Sequence, residues 1–175
     1  NDIKKIEPTI DVEQFYGGFY TESDMSGDIH LFTKQLANKC KEKGTTFYFS
    51  TKVVQVVTEN KKIKINFINE KKHMTEIFDA VVICAGVNSK AFSYALGDNI
   101  NIYPVKGYSI TIMLNDDLSQ NAAPNVSLLD DGAKIVSSRL GKNRFRIAGT
   151  AEFNGYNRDI RSDRIEPLLK WCNKI

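Results

Sequence analysis

The amino-acid sequence predicts a mixed α/β (α+β) fold in two parts, and three observations carry that prediction. The first is the run Ala80-Val81-Val82-Ile83-Cys84, unbroken, apolar and rich in β-branched residues, followed by Ala85-Gly86 and the helical start Val87-Asn88-Ser89. Such a run suits a strand buried on both faces, as in a parallel sheet, and small residues directly after it let something approach the backbone closely. In open α/β sheets the crevice beyond the carboxyl end of a strand is where nucleotides bind, so the stretch reads as a piece of a dinucleotide-binding-type domain. The second observation is the order helix, strand, hairpin, short strand ahead of that run, which sets a β-meander before the parallel strand. The third is a change of character near residue 100. Beyond it, alternating strands and turn signals predict a mostly antiparallel sheet covered by one helix.

Taken in order, residues 1–18 read as mostly irregular, with Gly17-Gly18 a turn or close backbone approach and Phe19-Tyr20 a short strand. Glu22 to Asp28 is a polar loop that ends in two good helix caps, Ser26 and Asp28. A helix follows over residues 28–43. Its apolar positions Ile29, Phe32, Leu36, Ala37 and Cys40 are spaced by three and four, so one stripe is expected to face a core. Gly44 stops it, and Lys39, Lys41 and Lys43 suit the negative pole of its dipole. Strands are expected at 46–49, 53–58 and 63–68, with Glu59-Asn60-Lys61-Lys62 as a hairpin turn between the last two. Asn69 to His73 is the next turn, and Met74 to Phe78 a short strand that feeds the run at 80–84.

A short helix is expected over 88–96 with Ala91, Phe92, Ala95 and Leu96 inward, ended by Gly97-Asp98-Asn99. Ile100 to Leu114 reads as one long strand in which Pro104 and Gly107 predict a bulge or an edge. Asn115 to Asn125 is a polar loop. Strands follow at 126–129, 133–138 and 143–148, the first two joined by the turn Asp130-Asp131-Gly132. Residues 148–159 read as irregular. A last helix begins between Ser162 and Pro167, with Pro167 in its first turn and Leu168, Leu169 and Cys172 inward.

With 175 residues the chain holds one full domain or parts of two. A net charge of +3, with lysine pairs Lys61-Lys62 and Lys71-Lys72 at turns, argues against a nucleic-acid partner. Cys40, Cys84 and Cys172 lie far apart, in neither a metal nor a redox spacing, and read as reduced core residues of a cytosolic protein. His30 and His73 have no partners at ligand spacing, so they read as solvated or capping residues and no metal is expected. No apolar run has the roughly 18 residues a membrane span needs, and no signal peptide is visible. The chain starts at Asn1 rather than Met and stops at Ile175 within an apparent helix, which sets the expectation of a piece of a longer protein.

Several stretches form one linked pattern: Gly17-Gly18, Gly27-Asp28, Phe32-Thr33 with Leu36-Ala37, and Gly44. It continues through Val53, Asp79-Ala80-Val81-Val82 with Ala85-Gly86, Tyr103 to Tyr108, Ala148 to Glu152, and Gly155-Tyr156-Asn157. In order and spacing this pattern resembles the D-amino-acid oxidase superfamily of FAD-dependent oxidoreductases, over nearly the whole chain. The segments Lys106-Gly107-Tyr108-Ser109-Ile110-Thr111 and Gly149-Thr150-Ala151-Glu152 are most similar to the branch of bacterial D-amino-acid dehydrogenase small subunits. The family's GxGxxG fingerprint is absent here, and so is the C-terminal segment that usually carries a substrate-carboxylate arginine.

The resemblance implies FAD as cofactor, with Val53 meeting its adenine end through the backbone and Ala85 and Gly86 beside its ribose or pyrophosphate. It implies a substrate pocket near Lys106, Gly107 and Tyr108. Glu152 and Tyr156 follow a strand end and read as loop residues. Alternation sets Arg144 and Arg146 on one solvent face, and with Arg139 they are not assigned to a site. Catalytic residues stay unidentified, because in such enzymes the flavin carries the chemistry. The implied reaction is oxidative deamination of a D-amino acid to a keto acid and ammonia, with electrons passed to a respiratory acceptor such as quinone. Alternatives are a glycine- or sarcosine-oxidase-like enzyme and a non-catalytic binding module. Residues 1–23 are then a lead-in from the substrate domain, 24–99 a partial FAD-binding domain and 100–175 a truncated substrate-binding domain. Without the helix that holds the pyrophosphate, this chain alone is expected not to hold FAD. A cytoplasmic location is expected, with peripheral attachment to the inner membrane if quinone is the acceptor.

Overall fold

A computed structural model describes residues 2–175. In chain order the elements are α1 (Asp2–Ile6), α2 (Ile29–Glu42), β1 (Thr51–Glu59), β2 (Lys62–Asn69), β3 (Lys72–Phe78), α3 (Ser89–Ala95), β4 (Lys106–Met113), α4 (Asp117–Ala122), β5 (Leu128–Asp130), β6 (Ile135–Arg139), β7 (Arg144–Glu152) and α5 (Ser162–Lys174). They divide into two compact units, residues up to 34 with 105–175, and residues 35–104.

The second unit is built on an antiparallel meander in the order β1-β2-β3. Both hairpins close with two residues at positive φ, Asn60 (50°) with Lys61 (61°) and Glu70 (45°) with Lys71 (68°). Paired positive φ gives a turn whose twist matches that of the flanking strands, which is why these polar pairs reverse the chain so tightly. Glu59 pairs with Lys62 and Asn69 with Lys72. The register shifts between Val53 and Gln55, so Val54 forms a bulge in β1. Val56 and Phe67, each 5% exposed, are the buried side chains of this sheet, and α3 packs against β1.

Several expectations for this part of the chain are corrected. Residues 80–84 are not a buried parallel strand: they carry no strand assignment, Val82 is 84% exposed, and Cys84 is exposed rather than a core thiol. A parallel strand needs neighbours to satisfy its N–H and C=O groups, and no strand among the described residues pairs with this run. The stripe on α2 has the expected spacing but faces no core, with Ile29, Phe32 and Leu36 between 50% and 71% exposed. The helix limits hold. The Leu31 N–H donates to Asp28 Oδ1 at 3.0 Å, and Gly44 at φ 93° ends the helix. Residues 46–49 form no strand; Phe47 and Phe49 stack at 5.6 Å instead. On α3, Ala91 and Ala95 are exposed and Ser93 is the buried residue.

The first unit is a four-stranded antiparallel sheet in the order β4-β7-β6-β5. One face packs on α5, where Leu168 (0% exposed) and Trp171 (6%) meet Tyr108, Ile135, Phe145 and Ile147. Complete burial of a side chain such as Leu168 is worth about 1.5–3 kcal/mol. The Trp171 indole N–H donates to the Ser137 hydroxyl at 3.4 Å, and its ring meets Phe15 edge-on at 6.1 Å. Pro167 lies in the second turn of α5, not its first, where it lacks the N–H that would bond four residues back. Leu169 is 50% exposed rather than inward.

The strand expected over 100–114 is limited to 106–113, and β7 continues to Glu152 through residues read as irregular. The polar loop at 115–125 contains α4, opened by a capping box between Asp116 and Ser119. This helix carries almost no apolar pattern, so periodicity had nothing to detect.

Between Gly107 and Tyr108 the β4–β7 register shifts, leaving Thr150 as the extra residue of a bulge. Thr150 stands at φ 50°, a conformation that β-branched residues rarely adopt and that costs about 1–3 kcal/mol. Its hydroxyl donates to the Arg164 carbonyl at 3.0 Å. Beside it, a Cβ on Gly149 would fall 2.8 Å from Ile135 Cγ1 and 2.9 Å from the Lys134 carbonyl oxygen. Gly149→Ala is therefore expected to destabilise the protein by about 1–3 kcal/mol, because backbone must move. Thr150→Gly should change stability by less than about 1 kcal/mol, as relief of strain offsets one lost hydrogen bond. Denaturant unfolding of both variants checks this, and a larger loss for Thr150→Gly than for Gly149→Ala would contradict it.

Candidate functional site

Because side chains alternate across a strand, covering one face with α5 leaves the other face to present a second set of residues. That face carries Ser109, Thr111 and Met113 from β4, Arg144, Arg146 and Ala148 from β7, and Val136 and Ser138 from β6. Toward the bulge it forms an open concavity of about 750 Å³, lined by Gly107, Tyr108, Ser109, Ala133, Lys134, Val136, Arg146 and residues 148–151. Its floor is shallow because Ala148, Gly149 and Ala151 carry little or no side chain. At the opposite end the Ser127 hydroxyl lies between those of Ser26 and Ser138, the latter at 2.8 Å.

Of the three arginines on these strands, two are committed. Arg139 donates to the Ala123 carbonyl, Asn125 Oδ1 and the Lys142 carbonyl. Arg144 pairs with Asp28 at 2.5 Å. The Leu31 backbone N–H and then Arg144 hold the Asp28 carboxyl below its ordinary range. Arg146 is exposed and donates to the Ser109 hydroxyl at 3.1 Å. The shared face expected for Arg144 and Arg146 is present, though Arg144 is half-buried.

At the bulged end lies a cluster of charges. Lys106 and Glu152 are directly paired across β4 and β7, and the Lys106 ammonium meets Glu152 Oε1 at 2.5 Å. The same ammonium donates to the Asp159 carbonyl at 2.8 Å and stands 5.3 Å from the Tyr108 ring centre. The Glu152 side chain is only 5% exposed, with Nε of both Arg161 and Arg164 at 3.8 Å from its Oε2. Oε2 and the Arg164 Nε are buried without a hydrogen-bond partner. Lys106 holds the Glu152 carboxyl below its ordinary range against the opposing effect of burial, and Glu152 in turn raises Lys106. Arg161 is committed to Asp163 through two bonds of 2.9 and 2.8 Å.

The structure thus brings Lys106, Gly107 and Tyr108 together with Glu152, a strand residue where the sequence predicts a loop. The Tyr108 ring, 7% exposed, belongs to the core under α5, and its hydroxyl donates to the Asp159 carbonyl at 3.4 Å. Val53, Ala85 and Gly86 belong to the other unit. Val53 is 39% exposed on β1. The Ala85 N–H donates to the Ser89 hydroxyl at 3.0 Å, and Gly86 stands at φ 55° with open space where a Cβ would lie. Also missed was Glu7, 1% exposed, whose carboxylate accepts the backbone N–H groups of Asn125 and Val126 at 2.6 and 3.0 Å and the Thr9 hydroxyl at 2.9 Å. A strand-pairing register would have found Glu152 opposite Lys106, but nothing in the sequence marks Glu7. His30 and His73 are exposed, and the described residues hold no cluster of side chains that could bind a metal ion. None of the described helices is long and apolar enough to cross a membrane.

The Glu152–Lys106 pair gives a pH dependence of definite sign. The folded carboxyl is depressed, so its contribution is present above the unfolded glutamate range and is lost as pH falls through the folded value. The folded ammonium is raised, so its contribution is present below the unfolded lysine range and is lost as pH rises through the folded value. Glu152→Gln is expected to lower the melting temperature at neutral pH, with the deficit shrinking below about pH 4. Thermal melts of both proteins across that range check it; an equal deficit at both ends would contradict it.

The chain matches the family described as FAD dependent oxidoreductase (DAO) over residues 1–175. It is 48% identical over 170 residues to D-amino acid dehydrogenase 3 of Mesorhizobium japonicum, covering 97% of this chain and 41% of that protein. It is 39% identical over 169 residues to D-amino acid dehydrogenase of Dechloromonas aromatica, covering 94% of this chain and 40% of that protein. The chain therefore spans about two fifths of the length of the curated relatives it matches. Among solved structures, the L-proline dehydrogenase of P. horikoshii has the same fold, with a TM-score of 0.75 at 16% identity over 99% of this chain and 46% of that one. The mixed α/β expectation is borne out by that likeness, and the family match runs the full length of the sequence. On that match the chain belongs to the FAD dependent oxidoreductase (DAO) family.

Proposed function

We propose that this chain is the central part of an FAD-dependent D-amino-acid dehydrogenase, which converts D-amino acids to keto acids and ammonia and passes electrons to a respiratory acceptor such as a quinone. The observation that carries the reading is 48% identity to a D-amino acid dehydrogenase across 97% of the chain. In this reading residues 24–99 serve the cofactor and 100–175 the substrate. The exposed stripe of α2 and the exposed run 80–84 pack against the remainder of the cofactor domain. Their apolar surface supports this, since Ile29, Phe32 and Val82 are more than half exposed here.

The residues present fit a dinucleotide in one respect. Gly86, at φ 55° with nothing near its Cβ position, leaves the backbone open to close approach. Ala85 and Gly86 would lie beside the FAD ribose or pyrophosphate, and Val53 at its adenine end. The chain contains no GxGxxG turn to cradle the phosphates, so the isolated 175 residues are proposed not to retain FAD. The chemistry supplied by bound FAD is acceptance of a hydride from the substrate α-carbon. This chain's own residues position and shield. The α5 helix excludes water from one side of the sheet, and Gly107 with residues 148–151 keeps the other side shallow enough for a small molecule to lie on it. Lys106, raised by Glu152, stays an ammonium and supplies charge rather than a free amine base. The location proposed is cytoplasmic with peripheral attachment to the inner membrane, and release of the enzyme from washed membranes only at high salt or alkaline pH would support it; full recovery in the soluble fraction would count against attachment.

The full-length protein is expected to reduce an artificial electron-accepting dye with D-alanine and not with L-alanine, and to consume little oxygen. Stereospecific oxygen consumption at a rate matching dye reduction would make it an oxidase, and no reaction with any D-amino acid would refute the reading. The isolated chain is expected to purify without a flavin absorbance band.

A further inference from the structure

We propose that Thr150 is a positioning residue of the free face. As the extra residue of β7 it decides which side chains reach the floor of the concavity, setting the Ala151 methyl there and turning the Glu152 carboxylate beneath α5. The inference deepens the amino-acid reading above and rests on it only for the molecule that lies on that floor.

Parity along β7 is broken at this point. Side chains alternate, so Phe145 and Ile147, buried under α5, call for residues 149 and 151 on the same side and 150 and 152 on the free face. Glu152 is instead 6% exposed and directly paired with Lys106. Lys106 stands two residues along β4 from Tyr108, a core residue under α5, so both members of the pair lie on the α5 side. The register shift accounts for the difference: Tyr108 pairs with Gly149 and Gly107 with Ala151, which leaves Thr150 outside the ladder. In an unbroken ladder Gly107 would face Thr150, Lys106 would face Ala151 and Val105 would face Glu152. A branched hydroxyl side chain and then a carboxylate would stand on the free face, where Gly107 and Ala151 leave a floor of hydrogen and methyl.

Named contacts hold the broken register. Thr150 carries φ 50°, which a β-branched residue resists unless its surroundings enforce it. Its hydroxyl donates at 3.0 Å to the carbonyl of Arg164, in the first turn of α5. Two residues on, the Glu152 carboxylate meets the Lys106 ammonium from β4, with Nε of Arg161 and of Arg164 at 3.8 Å. Asn154 Nδ2 donates to Glu152 Oε1 at 3.5 Å, and Asp163 beside the cluster is bonded to Arg161. Ahead of the bulge, Gly149 fits only without a Cβ. Glu152 is compensated by cations under α5, whereas on the free face it would bring an unpaired negative charge to the floor. The bulge thus sets both the depth of the concavity and its freedom from negative charge at this end.

The test uses the full-length protein. In the unaltered protein, nuclear Overhauser contacts of the Glu152 side chain are expected with Lys106 and Arg164; contacts with Val105 in their place overturn the inference. Thr150→Val keeps size and branching and loses the hydroxyl, while Thr150→Ser keeps the hydroxyl. In Thr150→Val the Glu152 carboxyl, held below the ordinary glutamate range chiefly by Lys106, is expected to titrate back toward that range. KM for D-alanine is expected to rise about 2- to 10-fold, the worth of one hydrogen bond, with kcat changed less. Thr150→Ser is expected to restore both. Unchanged titration and KM in Thr150→Val, or a Thr150→Ser protein as altered as Thr150→Val, overturns the inference. So does a loss of kcat and melting temperature alone, which is what a purely structural role gives. A Glu152 titration that shifts in Thr150→Val and not in Thr150→Ser, in a protein that does not oxidise D-alanine, upholds the positioning role and refutes the activity reading. Oxidation of D-alanine with the titration unchanged in Thr150→Val does the reverse.

Discussion

The packing of Leu168 and Trp171 against Ile135, Phe145 and Ile147 decides how the rest of the first unit is used. A four-stranded antiparallel sheet has two faces, and one amphipathic helix covers only one of them. Once α5 takes the face of Tyr108, Ser137 and Ile147, alternation obliges Ser109, Arg146 and Ala148 to present themselves on the other. The free face follows from the same periodicity that builds the core, and function has a rigid platform because the platform's reverse side is fully packed.

The charges at the end of that platform act on geometry more than on chemistry. Glu152 is buried among three cations and bonded to one of them, Lys106, so its charge is compensated but one oxygen is left over. Such an arrangement is costly to disturb, since removing either partner strands the other in a poorly solvated place. It ties β4, β7 and the lead-in to α5 together where Thr150 breaks the ladder. Glu7 plays a comparable part at the other end, clasping the backbone before β5 from the N-terminal segment. Both are carboxylates whose partners are distant in sequence.

That distance explains what the sequence did and did not disclose. The hairpins at Asn60-Lys61 and Glu70-Lys71 and the α2 limits set by Asp28 and Gly44 are local features, encoded within a few residues; the bulge is not, since its extra residue is Thr150 on β7 and not a residue of the Gly107 strand. The family was legible because its pattern is strung along the whole chain in order. Burial was not legible for 80–84 or for the α2 stripe, because apolar composition states a need for cover and not its presence. Tyr108 illustrates the limit for the site. Its position beside Lys106 and Gly107 was plain, but whether its ring faces the core or the concavity depends on the β4–β7 register, which the bulge shifts.

The α5-backed sheet is a stable platform with one free face, while residues 80–84 have no ladder partner among the described residues. Native-state amide hydrogen exchange on the 175-residue chain tests it most directly. The slowest exchange is expected at amides of β6, β7 and α5, released together in global unfolding, with exchange near the unprotected rate across 80–84. Protection of 80–84 equal to that of β7, or loss of protection in α5 before the rest of the sheet opens, would contradict it.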